Sequence, residues 1–575
     1  MNRALTLMLL ASLAGLIWFS HGLAGVRIYH ADECQNVSMA RIIATGQTKA
    51  FYADVGLFQT GLLAWLGRGA ARSEDMFVVA RFVMLEIFWL NVVLIALATG
   101  ERLLSRRGLI ALIGAATLAP LWDFGFEIRP DNLLLCGVLL MWCVVRVRPK
   151  GLQPFVIAGA LVVGLQFVAF NAAFFTLPIS AAILAFPPPS QRAPRWKLAA
   201  AWAAGAIGMF AVIRLTYGVA GLWGVYVADL GRALRDAAGG YRSGPWETLR
   251  RLLGQTPLLL AFLAAALIAV AVDLRRRGKA ALTWDGPLPE VLLFLNALAA
   301  MLINPTPAPY NLLHLVPFAF LVVFRYGSGL SEEIWGRRAL RPVLVALLVF
   351  AHFVPFGVAT RRHLVRTNFY QEARMRLAAA MTDPARDPVY DGMGMVPTRP
   401  SIHFWWLLPG LKGRGFAEEH GLRVRDMLAA RPAAVIIPNY RTDRLPEEDQ
   451  AFIRERYVAL ADDFRVLGKV LPPGGGSFEI IHPGRYRIST LKGSDLAWTY
   501  PGGLAGLSTP LDEGILTGSL DGVPLSKGPK ELTVGTHRIE TKPDCTPAVV
   551  WMGPRLGRAG RLGECDHRFL FVDSY

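Results

Sequence analysis

Asp32 and Glu33 stand side by side in the run His30-Ala31-Asp32-Glu33-Cys34, just after the first hydrophobic segment of the chain. Carboxylates beside a bilayer surface are costly to desolvate, so they either stay in a solvated loop or belong to a reaction site. A carboxylate there could take a proton from an attacking hydroxyl, or it could cap the helix that follows. Two more polar groups sit at the edges of apolar runs: Arg129 and Asp131 in Glu127-Ile128-Arg129-Pro130-Asp131, and Tyr310 with His314, about one helical turn apart. Each has a structural reading beside the chemical one, an ion pair at a span boundary for the first and an interhelical hydrogen bond for the second. Arg214, near the end of another apolar run, could contact a phosphate or snorkel toward headgroups. Asp123 and Glu127 are weaker candidates, and Arg81 and Glu86 read as packing partners.

The elements that must position these residues are apolar helices. Over half of the 575 residues are apolar and only 18% are charged, a balance that soluble globular chains seldom show. The chain reads as a polytopic α-helical membrane protein. Apolar runs at 5–26, 77–99, 109–121, 132–145, 155–170, 172–186, 198–219, 257–272, 289–303, 312–324 and 342–358 give about eleven crossings. The short runs 155–170 and 172–186 look like incomplete spans lining a cavity. The net charge of +17 does not indicate nucleic acid, because Arg and Lys cluster in short loops between the runs. Arg102, Arg106 and Arg107, then Arg146 and Arg148, Arg192 and Arg195, Arg275 to Arg277, and Arg337 and Arg338 all share one side if the amino terminus is cytoplasmic. The basic loop around Arg232, Arg235, Arg250 and Arg251 reads as a juxtamembrane amphipathic element. The first segment could instead be a cleaved signal peptide; either way Asp32 and Glu33 face outward.

The division expected is a transmembrane domain at 1–360, with its first external loop at 27–76, then an extracytoplasmic α/β domain at 361–485. A β-rich, sandwich-like domain suited to carbohydrate follows at 486–575. Cys34, Cys545 and Cys565 then face an oxidising compartment, where Cys545 and Cys565 could pair. No zinc spacing, phosphate loop or nucleophile elbow occurs. External acidic residues could hold a divalent metal, but no cofactor or ligand set is specified.

The Asp-Glu pair, the following Ala40-Arg41-Ile42-Ile43 segment ending at Gly46, and residues 52–65 resemble the opening of the GT-C membrane glycosyltransferases. Glu127-Ile128-Arg129-Pro130-Asp131 resembles the acidic second external loop of the protein O-mannosyltransferase and aminoarabinose-transferase branches. Asn304-Pro305-Thr306-Pro307-Ala308-Pro309-Tyr310 leading into His314 resembles the late external turn. The resemblance covers residues 1–360 and implies inverting transfer of a sugar from a polyprenyl-phosphate donor to a glycan, lipid or protein acceptor. It places the reaction at the outer face of the cytoplasmic membrane. It implies Asp32 as general base, and Glu33 reads as its helper; by their own chemistry Arg129, Arg214, Tyr310 and His314 could supply positive charge and hydrogen-bond donors to the donor phosphate, with Asp131 and Gln59 as supporting or acceptor groups. Asp54-Val55-Gly56-Leu57-Phe58-Gln59 stands where several members carry a lysine near a Pro-Pro pair. A lipid-linked oligosaccharide ligase of the same broad fold, a non-catalytic envelope-polysaccharide scaffold and a lipid transporter are the rival readings. The transporter would more naturally show repeated halves and charges near mid-span.

Overall fold

The computed structural model describes residues 2–46, 56–147, 151–185, 193–228, 230–231, 246–278, 288–303, 308–326, 341–400, 402, 423–461, 463–491, 517–526, 528–553 and 570. Asp54, Val55, Arg148, Arg192, Arg232, Arg235, Arg337, Arg338, Cys565 and the turn at 304–307 lie outside the described residues.

Helices make up the first two thirds. They are α1 (Asn2–Val26), α2 (Ala31–Ala44), α3 (Ser73–Ala98), α4 (Arg106–Ala116), α5 (Ala119–Phe124), α6 (Pro130–Val147), α7 (Gln153–Gln166), α8 (Ala173–Ala185) and α9 (Arg195–Val219). After these come α10 (Trp246–Gln255), α11 (Pro257–Arg277), α12 (Leu288–Ile303), α13 (Leu312–Tyr326) and α14 (Arg341–Val365). Among the described residues, four helices are long and apolar enough to cross a membrane: Arg3–Val26, Ser73–Ala98, Arg195–Val219 and Pro257–Arg276. Apolar helices at Pro130–Val145, Gln153–Gln166, Phe170–Leu184 and Pro289–Ile303 are shorter. Leu7, Trp18, Ile207 and Leu215 point outward from α1 and α9, which suits a hydrocarbon surround rather than water.

Close packing within the bundle depends on small residues. A Cβ on Gly159 of α7 would lie 1.9 Å from the Trp202 carbonyl oxygen of α9, and one on Gly205 would lie 1.9 Å from the Val156 carbonyl. The two backbones therefore touch, the contact that glycine permits between apolar helices. The short runs expected at 155–170 and 172–186 form α7 and α8, joined by a single 3-10 turn at Phe170–Ala172.

The chain then leaves α14 and turns through α15 (Phe369–Met381) into a mixed region with α16 (Val424–Ala430) and α17 (Glu447–Arg456). Its strands are β1 (Val389–Tyr390), β2 (Val435–Ile436), β3 (Tyr457–Ala461), β4 (Phe464–Val470), β5 (Gly475–Ile480) and β6 (Gly484–Leu491), then β7 (Gly518–Leu520), β8 (Val523–Pro524), β9 (Lys530–Leu532), β10 (Gly535–Thr541) and β11 (Thr546–Trp551). One sheet runs β1-β2-β4-β11-β6-β9, with β3 also on β4, and a second runs β5-β10-β7-β8. Only β1 and β2 pair in parallel among the described strands; all other neighbours are antiparallel. The boundary expected at 485 falls inside the first sheet, because β6, β9 and β11 continue outward from β4.

Backbone pairing fastens this region to the end of the bundle that carries Asp32. Ile28 N–H donates to the Arg366 carbonyl at 3.1 Å, and Asn368 N–H donates to the Val26 carbonyl at 2.9 Å. The Gln371 amide meets both backbone groups of Tyr29, at 2.7 and 2.8 Å. Arg374 and Asp463, both fully buried, form a two-pronged ion pair at 2.7 and 2.8 Å between α15 and the turn joining β3 to β4. Such a pair tolerates little displacement, so it fixes the sheet against α15.

Candidate active site

The site is built around the start of α2, where the chain leaves α1. A reciprocal cap forms there: Asp32 N–H donates to His30 Nδ1 at 3.3 Å, while the Glu33 carboxylate accepts from His30 N–H at 2.7 Å. His30 and Glu33 do the capping, which leaves the Asp32 side chain for other contacts.

Glu33 and Asp32 then part company. Glu33 is fully buried. It takes Nε of Arg81 at 3.1 Å, Nη2 of the same guanidinium, and the Ile128 N–H at 3.0 Å. Arg81 also donates to the carbonyls of Arg27 and Ile28, at 2.5 and 3.0 Å. Burial works to raise the Glu33 carboxyl, but Arg81 and Arg27 outweigh it and hold the group below the usual carboxylate range. Expected beside Asp32 in the chemistry, Glu33 is instead closed off from solvent and ties α2, α3 and the turn before α6 together. Arg81 and Glu86, expected to pair, have separate partners, since Glu86 is exposed and meets His21 at 3.0 Å.

Asp32 keeps 27% of its side chain exposed and faces a different set of groups. Arg129 Nη1 donates to its Oδ2, His30 Nδ1 lies 3.9 Å from the same oxygen, and Arg441 Nη2 lies 3.8 Å from Oδ1. Burial again pushes upward, but Arg129, His30 and Arg441 together hold the carboxyl well below its ordinary value. Arg129, 5% exposed, also donates from Nε to Asp131 at 3.2 Å and lies 3.6 Å over the Tyr310 ring centroid. Stacking on a ring face and pairing at an edge leave a guanidinium little freedom. Burial pushes the Tyr310 phenol up to about 12, so it remains a donor at neutral pH. His314 is buried and stacked on Phe175 at 4.8 Å, and among the described residues neither ring nitrogen makes a well-formed side-chain hydrogen bond; the Asp131 backbone is alongside.

Asp32, Arg129, Asp131, Tyr310 and His314 are thus one cluster. Gln59 reaches its edge: its Nε2 donates to Asn36 at 2.9 Å, and Asn36 donates to the Ile128 carbonyl at 3.1 Å. Arg214 does not join the cluster. It is exposed and lies over Trp223 at 4.6 Å, a ring that itself packs against the cluster of Phe167, Tyr217 and Tyr226. Asp123 and Glu127 are consumed elsewhere, Asp123 by Arg362 at 2.7 Å and His363 at 2.9 Å, Glu127 by Arg27 at 2.5 Å. Cys34 is fully buried, and burial pushes its thiol up, leaving it unreactive. Among the described residues no group of three or more His, Cys, Asp or Glu side chains could hold a metal ion.

The residue that sequence reasoning missed is Arg441. It follows β2 in the polar run Asn439-Tyr440-Arg441-Thr442, while Asp391 follows β1, so both lie just beyond the carboxyl ends of adjacent parallel strands. Asn439 Nδ2 donates to the Asp391 carbonyl at 2.7 Å and its Oδ1 receives the Arg441 N–H at 3.0 Å, which sets the turn. Strand ends of this kind are where open sheets present ligand-binding groups, and that position was the available signal.

Fold and site together define an apolar helix bundle with a carboxylate and two guanidinium groups gathered at one end. No family model matches the chain, and no curated protein matches it. Among solved structures it is similar to ArnT from Cupriavidus metallidurans bound to undecaprenyl phosphate, at 12% identity over 70% of this chain and 86% of that one, TM-score 0.49. It is also similar to the archaeal oligosaccharyltransferase AglB from Archaeoglobus fulgidus in complex with an inhibitory peptide and a dolichol-phosphate, at 12% identity over 82% and 73%, TM-score 0.45. The apo form of the Archaeoglobus fulgidus oligosaccharyltransferase matches at 13% identity over 82% and 73%, TM-score 0.44. The chemistry assigned to the cluster rests on its own side chains.

Proposed function

We propose that the chain is a membrane glycosyltransferase that moves a sugar from a polyprenyl-phosphate donor to an acceptor hydroxyl at the outer face of the cytoplasmic membrane. The observation that carries this reading is the partly exposed Asp32 carboxylate held against the buried Arg129, at the end of an apolar bundle. Transfer from a lipid phosphate needs an anion to receive the acceptor's proton and a cation to receive the leaving phosphate, both within reach of lipid. Here the two are in contact before substrate arrives.

The steps follow from that pairing. The acceptor O–H gives its proton to Asp32 as its oxygen bonds to the anomeric carbon. The bond from that carbon to the phosphate oxygen breaks, and the electron pair leaves with the prenyl phosphate, whose charge Arg129 and the Tyr310 hydroxyl meet. One displacement inverts the anomeric centre. While Arg129 holds Asp32, the carboxylate is anionic but weakly basic; once the donor phosphate shares the Arg129 guanidinium, that hold is divided and Asp32 gains proton affinity. Asp131 keeps Arg129 oriented from the other side, and Glu33 keeps the start of α2 in place.

The test is release of prenyl phosphate from polyprenyl-phosphate-linked hexoses and pentoses, using the full chain in native membranes that supply the acceptor. Wild type should release it and Asp32→Asn should not, with both proteins equally folded. Full release by Asp32→Asn would overturn the assignment of the base.

A further inference from the structure

Arg441 is a buried guanidinium whose hydrogen-bonding capacity is largely unused. Its side chain is 2% exposed, Nη1 has no hydrogen-bond partner among the described residues, and Nη2 stands 3.8 Å from Asp32 Oδ1, beyond hydrogen-bonding distance. Its Nε donates to the Tyr440 hydroxyl at 3.1 Å. Buried donors left unmade are costly, and a buried charged group without a full set of partners is expected to meet an absent ligand. Its backbone is well fixed by Asn439, whose side chain also locks onto the end of β1. The arrangement presents unmade donors on a fixed support.

Charge points to what the ligand is. Arg129 and Arg441 flank the two oxygens of one carboxylate, Asp32, and Asp131 adds a second negative charge behind Arg129. The two cations and two anions balance. With Arg129 alone the cluster would carry excess negative charge and would repel an incoming phosphate, whereas Arg441 removes that repulsion. The spacing of the two guanidinium groups across a two-oxygen anion also suits two oxygens of a phosphate.

We propose that Arg441 binds the phosphate of the sugar donor opposite Arg129, so that the C-terminal region supplies half of the anion site and the membrane bundle the other half. This rests on the reading of the cluster as a site for a lipid-linked phosphate. The shared chemistry is an oxyanion, which an acidic acceptor could also bring, and the two sources are separated by which substrate's affinity falls when Arg441 is changed.

The experiment uses the full chain in lipid nanodiscs, with undecaprenyl phosphate as probe and undecaprenol as its uncharged control, for wild type, Arg129→Gln, Arg441→Gln and Arg441→Lys. Wild type should prefer the phosphate, and Arg441→Gln should weaken that binding about 10- to 100-fold, the worth of one or two charge-assisted hydrogen bonds. In turnover the loss should appear in kcat/KM for the donor, with the acceptor KM largely kept. Arg441→Lys, which keeps the charge and the fold but not the planar fork, should weaken binding several-fold, so the test stands even if Arg441→Gln does not fold. Unchanged phosphate binding in folded Arg441→Gln or Arg441→Lys, with Arg129→Gln impaired, overturns the role of Arg441 and leaves the proposed function standing. A loss confined to the acceptor KM also overturns it. Wild type binding undecaprenyl phosphate no better than undecaprenol would instead defeat the proposed function itself.

Discussion

Replacing Glu33 and Asp32, neighbours in sequence, should give opposite phenotypes. Glu33 is fully buried and Arg81 is 1% exposed, so Glu33→Gln strips the counter-charge from a guanidinium that no water reaches. Removing one partner of a buried pair costs about 3–5 kcal/mol, because the other charge remains desolvated and uncompensated. That is a large share of the roughly 5–15 kcal/mol that holds a typical fold together. The loss should concentrate where Glu33 ties α2 to α3 and to Ile128. Asp32 differs because it is 27% exposed and Arg129 retains Asp131 and Tyr310 without it. Asp32→Asn should therefore cost less than Glu33→Gln, because part of its carboxylate is in water, while abolishing transfer. Denaturant unfolding in detergent measures the first quantity, and prenyl phosphate release per folded molecule measures the second. Glu33→Gln should unfold early yet work while folded. The double variant Glu33→Gln, Arg81→Met should recover part of the stability, since no orphaned charge remains. A Glu33→Gln protein within about 1 kcal/mol of wild type, or one that is stable but inactive, would refute this division of roles.

The pH dependence has a fixed sign. Asp32 and Glu33 are both held below their unfolded values, so the stability they contribute is present above about pH 4 and is lost as the pH falls through the folded values. Asp32→Asn and Glu33→Gln should each flatten the acid side of a plot of unfolding free energy against pH. Tyr310→Ala, which removes the ring beneath Arg129, should weaken undecaprenyl phosphate binding about fivefold to thirtyfold, while Tyr310→Phe, which keeps the ring, should lose less; equal losses would mean that the hydroxyl matters more than the ring. Arg214→Ala should leave that binding unchanged, because Arg214 is exposed over Trp223 and outside the cluster; a loss of about tenfold, the worth of one charge-assisted hydrogen bond, would place a second phosphate contact there.

Much of the site was legible in local patterns. Polar residues at the edges of apolar runs are few, and each must be solvated, paired or used, so Asp32, Arg129, Asp131, Tyr310 and His314 could be singled out one by one. Their shared end of the bundle followed from counting runs and placing the basic loops. Arg214 passed the same filter and sits elsewhere, because the position of an arginine at a helix end says nothing about which neighbours lie beside that end. In the C-terminal region the strands at 389–390, 434–437 and 478–481 were readable as apolar stretches, but their pairing was not. β4 and β11 adjoin although far apart along the chain, and only long-range register brings them together.

The sequence by itself determined that this chain is a bundle of apolar helices with a few polar groups at their ends, because hydrophobic periodicity and charge placement are local properties. Tertiary structure decided which of two adjacent carboxylates is closed off from solvent and which stays partly exposed. The capping box and Arg81 draw Glu33 inward, and Arg129 and Arg441 meet Asp32. Arg81 lies 48 positions from Glu33 and Arg129 lies 97 from Asp32, with Arg441 far beyond both, and the electrostatics of a buried carboxylate depend on what surrounds it in space.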